Sequence, residues 1–78
     1  MLILSLSRES RIPLQLQIFQ FYFQAIQQGD LLCGDKLPSI REQAQTLNVA
    51  KITVVMAYEK LMAAGFIKSR QGIGYEVT

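Results

Sequence analysis

The sequence has no tryptophan, no histidine and only one cysteine among its 78 residues. A disulfide within the chain and a Cys/His metal site are therefore excluded, and histidine cannot serve as a general acid or base. Charged residues make up only 18% of the chain, whereas half of it is hydrophobic. This composition argues against disorder and predicts one small domain with some apolar surface left for a partner.

The longest stretch without a charged residue runs from residue 12 to residue 29. Its 18 residues approach the length of a membrane span, but six of them are glutamine. Their amides would find no partners in lipid, so a transmembrane helix is not expected. A secretory signal is not expected either, because no basic residue precedes the short apolar stretch at the N-terminus. The unpaired Cys33 fits the reducing environment of the cytoplasm.

Basic residues concentrate in the middle of the chain. Between residues 36 and 70 there are six lysine and arginine residues against two glutamates, whereas acidic residues outnumber basic ones before this segment. A basic segment is the electrostatic footprint of a nucleic-acid-binding protein, but an ordinary solvated face can have the same composition. Charge alone therefore leaves both interpretations open.

The first predicted helix begins at Pro13, whose backbone geometry suits a first turn, and ends near Gln28. Residues 1–12 form an N-terminal segment before it, in which LILSL at 2–6 predicts a short strand. A second apolar strip on this helix is predicted to contact a second subunit, a further domain or the strand at 2–6. The core face of the helix comprises Leu14, Ile18, Tyr22, Ala25 and Ile26, and the second strip comprises Leu16, Phe19 and Phe23.

Two more helices follow a very short strand predicted at Lys36-Leu37. Ser39-Ile40-Arg41-Glu42 matches the capping box, in which the Ser and Glu side chains each accept a hydrogen bond from the other's backbone amide. Asn48-Val49 is predicted to be a tight turn, because Asn tolerates the left-handed conformation. The third helix is predicted from Lys51 to about Ala64. The buried positions are predicted at Ile40, Ala44 and Leu47 in the second helix, and at Val54, Ala57, Leu61 and Ala64 in the third.

After Gly65 the pattern changes to a period of two, which indicates strands at 66–70 and 74–77 joined by a turn at Gln71-Gly72. The chain is therefore predicted to be mainly α with a small β-hairpin, an α+β domain over residues 13–78. Two helices joined by a tight turn and followed by a hairpin make a winged helix-turn-helix, here with three helices and a two-stranded wing.

From Pro13 onwards the chain resembles the N-terminal DNA-binding domain of the gluconate-repressor (GntR) family of bacterial transcription regulators. The resemblance rests on GDKLPSIREQA, ITVVMAYEKLMAAGFI and SRQGIG at matching spacing, and the opening PL and the TVVMAYEKL core are similar to the YtrA-like branch. It implies sequence-specific binding to a double-stranded DNA operator with a palindromic sequence. It also implies a homodimer of the full-length protein, with an effector ligand bound by a C-terminal domain. No cofactor is implied, and no pair of catalytic groups indicates an enzyme.

The DNA contacts that the resemblance implies lie on three elements. Ser39 would offer a backbone amide and a hydroxyl to a phosphate, and Arg41 would contact a phosphate or a guanine edge. The third helix would enter the major groove with its N-terminal residues, and the wing would approach the minor groove. Each residue also has a structural explanation, as a helix cap, a solvated charge or part of a hairpin turn. The predicted DNA-binding residues are Ser39, Arg41, Lys51, Ile52, Thr53, Val55, Met56, Arg70, Gln71, Gly72 and Gly74.

The start of the third helix departs from the family pattern. Where the family usually has Ser, Arg and Asn, this chain has Ala50, Lys51 and Ile52, and no basic residue lies near Met56. Apolar side chains on the groove face can contact thymine methyl groups but cannot form bidentate hydrogen bonds with bases. The alternative function is a winged helix used mainly for protein–protein contact. A third is a basic module that binds DNA without sequence preference.

Overall fold

Three helices and three short strands make up the computed structural model, which describes residues 4–72 and 74–78. The strands form one antiparallel sheet in the order β1-β3-β2, so the last strand is central. In chain order the elements are α1 (Leu14–Gln27), β1 (Lys36–Leu37), α2 (Ile40–Leu47), α3 (Lys51–Ala63), β2 (Ile67–Arg70) and β3 (Gly74–Val77). The predicted architecture of three helices and a wing is confirmed, and the short strand at 36–37 joins the wing as a third strand.

The register of the sheet separates an inner face from an outer face. Leu37 on β1 and Ser69 on β2 both pair with Tyr75 on β3, while Lys36 and Lys68 both pair with Glu76. Because side chains alternate along a strand, one face of the sheet meets the helices and the other carries charged groups. The single acidic residue of β3 therefore lies between basic residues of both neighbouring strands.

The start of α1 is held by a side chain that sequence analysis did not single out. Pro13 occupies the N-cap position and provides no side-chain cap. Instead, the Gln17 amide nitrogen donates to the carbonyl oxygens of Ser7 and Ile12, both at 2.8 Å, and its oxygen accepts from the Ser7 amide at 2.8 Å. The N-terminal segment is thereby tied to the first turn of α1.

The strand predicted at residues 2–6 is wrong where it can be examined. Residues 4–6 are in no strand, and residues 2 and 3 lie outside the described residues. Leu4 and Leu6 are half-buried and pack against the core. The backbone that follows them bonds to the Gln17 side chain and not to a sheet edge. The alternating apolar pattern reflects packing onto the helices and not strand pairing.

The core forms where α1 and α3 pack together, with Ile18, Val54, Tyr58 and Leu61 fully buried. Tyr58 was not among the predicted core positions. Ala64, which was, is exposed, because α3 ends at Ala63 and the chain turns away. The Tyr58 ring meets Tyr22 and Tyr75 edge to face, with ring centroids 6.1 and 4.9 Å apart. Its hydroxyl donates to the Pro38 carbonyl at 2.7 Å, which satisfies the polar end of a buried ring.

A second buried polar contact joins α1 to α2. The Tyr22 hydroxyl donates to the side-chain oxygen of Gln43, a residue that is itself buried. Each of the two helices contributes one polar side chain to the core, and the hydrogen bond between these side chains satisfies both polar groups. The orientation of α2 against α1 is therefore set by a directed bond as well as by apolar packing.

The second apolar strip of α1 meets an aromatic residue of the same chain. Phe23 lies edge to face with Phe66 at a centroid distance of 5.2 Å and stacks with Phe19 at 6.0 Å. Leu16, Phe19 and Phe23 are all half-buried, so part of each side chain remains accessible. Their contact with a second subunit or a further domain stays a prediction.

We expect alkaline pH to destabilise the fold through its buried tyrosines. Burial raises the pKa of Tyr58 far above its ordinary value, and burial also raises the pKa of Tyr22. The unfolded chain then releases phenol protons first, so the free energy of unfolding should fall as the pH rises above about 10. Tyr58→Phe should cost about 1 kcal/mol at neutral pH and should weaken this fall. Urea unfolding followed by circular dichroism at neutral and alkaline pH measures both effects. An equal alkaline loss in both proteins would contradict the assignment.

Candidate nucleic-acid interface

The N-terminus of α2 carries the predicted capping box. The Ser39 hydroxyl oxygen accepts from the Glu42 amide at 3.1 Å, and the Glu42 carboxylate accepts from the Ser39 amide at 3.3 Å. Ser39 is therefore a helix cap in the free protein, and its exposed hydroxyl keeps its own proton available for donation to a phosphate. Arg41 lies in the first turn of the same helix and is exposed.

A tight turn joins α2 to α3. Asn48 adopts the predicted left-handed conformation with φ of 55°, and its amide donates to the carbonyls of Ala44 and Gln45. The Val49 amide also donates to the Ala44 carbonyl, at 3.0 Å. These bonds end α2 and reverse the chain within a few residues, so that α3 can begin at Lys51 and pack against α2.

The first turns of α3 present an apolar exposed face. Ile52 is 60% exposed and Met56 is 39% exposed, although both are large hydrophobic residues. Val55 and Thr53 are half-buried, and Lys51 at the start of the helix is exposed. Since Val54, Ala57, Tyr58 and Leu61 occupy the buried side, this face has no packing role in the described core. The N-cap residue Ala50 provides no side-chain hydrogen bond.

The wing holds its arginine in an ion pair. The Arg70 guanidinium lies 3.0 Å from the Glu76 carboxylate, and the Lys68 ammonium lies 4.0 Å from it. The Glu76 side chain is only 10% exposed, whereas both basic side chains are more than half exposed. Gln71 and Gly72 form the turn, and Gly72 and Gly74 have φ of 79° and 111°, which a residue with a Cβ rarely adopts. Both glycines therefore serve the hairpin itself.

Comparison with known proteins assigns the family. The profile described as "Bacterial regulatory proteins, gntR family" matches residues 14–77, which is most of the chain. The chain belongs to the GntR family. The expected resemblance is thereby confirmed, and the relatives found are transcription regulators.

Individual relatives and structures agree with this assignment. The domain is 37% identical to the uncharacterized HTH-type transcriptional regulator YhdI of Bacillus subtilis over 90% of this chain. It is 38% identical to the HTH-type transcriptional repressor STM4068 of Salmonella typhimurium over 91%. The structure of YtrA from Sulfolobus acidocaldarius, a GntR-family transcription factor, superposes over 97% of this chain and 80% of that one, with 42% identity and a TM-score of 0.89.

The similar structures include complexes with DNA. The DNA-binding domain of AraR, solved with operator ORX1, matches 96% of this chain and 93% of that one, with 28% identity and a TM-score of 0.82. This GntR chain is a winged-helix DNA-binding domain. It spans only 15% of YhdI and 30% of STM4068, so these relatives contain much more than the matched region.

Two further properties of the GntR domain bear on its possible sites. None of the described helices combines the length and the apolar character needed to cross a membrane. Within residues 4–72 and 74–78, no group of three or more acidic or cysteine side chains is placed to hold a metal ion.

Sequence analysis also did not predict two side-chain contacts beside the candidate interface, one at the α2–α3 turn and one in the wing. Arg8 donates to the carbonyls of Leu47 and Asn48 at 3.0 and 2.8 Å, although it lies 39 and 40 positions away. Nothing in the local sequence signals a contact over that separation. The pairing of Glu76 with Arg70 and Lys68 was also missed, but here the register of the predicted hairpin would have placed Glu76 opposite Lys68.

Releasing the wing arginine should strengthen DNA binding. Glu76→Gln keeps the size of the side chain but removes the charge that holds Arg70 and Lys68. Affinity for a labelled duplex of random sequence should rise, and the slope of log affinity against log salt should steepen by about one unit if Arg70 reaches a phosphate.

Glu9→Gln is the matched control, because it makes the same charge change at an exposed position of the N-terminal segment. Fluorescence anisotropy at several salt concentrations measures the slopes of the wild type and both variants. Equal slopes for the two variants would contradict the release of Arg70.

Proposed function

We propose that this chain reads a specific operator through the start of α2, the exposed face of α3 and the wing. The observation that carries the proposal is the placement of exposed Arg41 and Lys51 in the opening turns of the two helices joined at Asn48. The likeness to the operator-bound AraR domain supports this use of the two helices. The chain acts as the DNA-binding part of a transcription regulator in the bacterial cytoplasm, where chromosomal DNA is found.

Backbone contacts position the domain on the duplex. Ser39 and Arg41 bind phosphates at the N-terminus of α2, where the helix dipole favours negative charge. Lys51 and Thr53 open α3 at the edge of the major groove. Arg70, Gln71, Gly72 and Gly74 form the wing segment that lies along the minor groove, once DNA draws Arg70 away from Glu76.

Sequence is read mainly by apolar contact. Ile52, Val55 and Met56 touch thymine methyl groups, and a contact of this kind is worth about 1 kcal/mol or less, against about 1–3 kcal/mol for a bidentate hydrogen-bonded pair. Glu59 is exposed one turn beyond Met56 and repels phosphates, which limits how deeply α3 enters the groove. We infer an operator with thymines facing α3 and modest discrimination at those positions.

The whole protein is proposed to act as a homodimer on a palindromic operator, with an effector ligand bound by a C-terminal domain. The small share of YhdI and STM4068 that this chain covers supports the presence of a further domain. Leu16, Phe19 and Phe23 are the proposed contact residues for the second subunit or that domain, because their partly accessible side chains extend the apolar surface of α1.

A second candidate function is favoured by the same exposed apolar face. Ile52 is 60% exposed and Met56 is 39% exposed, and together they could bind an apolar protein surface in place of thymine methyl groups. In that case DNA would be held by phosphate contacts alone, and binding would show no sequence preference.

We expect Arg41 to contact a phosphate. The Arg41 side chain forms no ion pair or hydrogen bond within the described part of the chain, so it is available to DNA. Arg41→Gln should weaken binding to any duplex and lower the salt slope by about one unit. Arg11→Gln makes the same charge change at an exposed position of the N-terminal segment and should leave the slope unchanged. Anisotropy titrations across a salt series compare the three proteins, and equal slopes for Arg41→Gln and the wild type would remove Arg41 from the phosphate contacts.

Selection of bound duplexes from a library of random sequence tests whether α3 recognises thymine methyl groups. We expect enriched sequences that contain thymines, and replacement of those thymines by uracil should weaken binding by up to about fivefold per methyl group. Failure to enrich any sequence would favour the protein-contact function. Enrichment that survives uracil replacement would show that α3 reads something other than methyl groups.

A further inference from the structure

One side chain of the N-terminal segment reaches the turn between α2 and α3. Residues 8 and 9 lie in a turn before α1, yet the Arg8 guanidinium reaches the carbonyl oxygens of Leu47 and Asn48 at 3.0 and 2.8 Å. These two carbonyls end α2 and begin the turn into α3. One arginine side chain therefore links the segment before α1 to the junction of the two DNA-binding helices.

The contact fits the chemistry of a helix C-terminus. The last carbonyls of α2 lack amide partners within the helix and carry a partial negative charge. In the turn that follows, the amides of Asn48 and Val49 donate to carbonyl oxygens of α2. Arg8 donates to the carbonyl oxygens of Leu47 and Asn48. A planar guanidinium with several N–H groups can satisfy both acceptors at once.

The other end of the segment is anchored as well. The Gln17 side chain exchanges two hydrogen bonds with the Ser7 backbone, directly beside Arg8. The arginine therefore extends from a point fixed on α1, and its bonds restrain the α2–α3 turn relative to α1. Its neighbour Arg11 is also exposed but forms no such hydrogen bond among the described residues.

We propose that Arg8 is a positioning residue for DNA recognition, which sets the angle of α3 by bracing the turn between α2 and α3 without itself contacting DNA. This inference rests on the proposed function of operator reading. A brace of this kind affects specific binding more than non-specific binding, because only base contacts depend on the angle at which α3 enters the groove. A phosphate-binding arginine would instead weaken binding to every sequence and lower the salt slope.

The first test measures DNA binding by Arg8→Gln, with Arg11→Gln as the matched control for the lost charge. The probes are the duplex enriched from the random library and a scrambled version of it. Arg8→Gln should lower the ratio of the two affinities about fivefold, the effect of roughly one hydrogen bond, with an unchanged salt slope on the scrambled duplex. Arg11→Gln should leave the ratio unchanged. An unchanged ratio in Arg8→Gln, or a salt slope lower by about one unit, would overturn the proposal.

The second test needs no DNA, so its result does not depend on whether the proposed function is correct. Amide hydrogen exchange in the free protein, followed by NMR, should accelerate at Asn48, Val49 and Thr53 in Arg8→Gln, while amides in the middle of α1 keep wild-type rates. Acceleration throughout the chain would indicate a general loss of stability and would overturn the brace, as would wild-type rates at all positions. If the wild type enriches no duplex, the proposed function fails, and the exchange rates still decide whether Arg8 holds the turn.

Discussion

The burial of Tyr58 in α3 is the constraint on which the other elements depend. Its ring contacts Tyr22 of α1 and Tyr75 of β3, and its hydroxyl bonds to the Pro38 carbonyl just before α2. One side chain thus joins the third helix to the first helix, to the central strand and to the backbone just before α2. Because the hydroxyl must find an acceptor inside the protein, the backbone that leads into α2 can occupy only a narrow range of positions.

This arrangement leaves two large apolar side chains exposed on the outer face of α3. The buried face is apolar because it forms the core, and the opposite face carries exposed Ile52 and Met56. A helix that only had to fold would place charged or polar residues there. We propose that thymine methyl groups in the major groove contact these two side chains.

The basic residues of the wing share an acidic partner. Arg70 and Lys68 share the Glu76 carboxylate on the outer face of the sheet, and both ion pairs join an exposed basic side chain to a largely buried carboxylate. We propose that a DNA phosphate releases Arg70 from this pair. Arg41 and Lys51 need no such release, because the described part of the chain gives them no acidic partner.

The sequence by itself determined the elements and their order. The capping box at Ser39, the left-handed Asn48 and the glycine turn of the wing are local, since each depends on a few neighbouring residues and their backbone preferences. The predicted strand was wrong over residues 4–6, and so was the burial predicted for Ala64, because alternation and helical spacing do not reveal which surface a segment meets. Only the tertiary structure decided that β1 completes the sheet, that Tyr58 is buried, and that Arg8 reaches the end of α2. Those contacts join residues 17 to 40 positions apart. They depend on how the packed helices bring distant segments together, which no local pattern encodes.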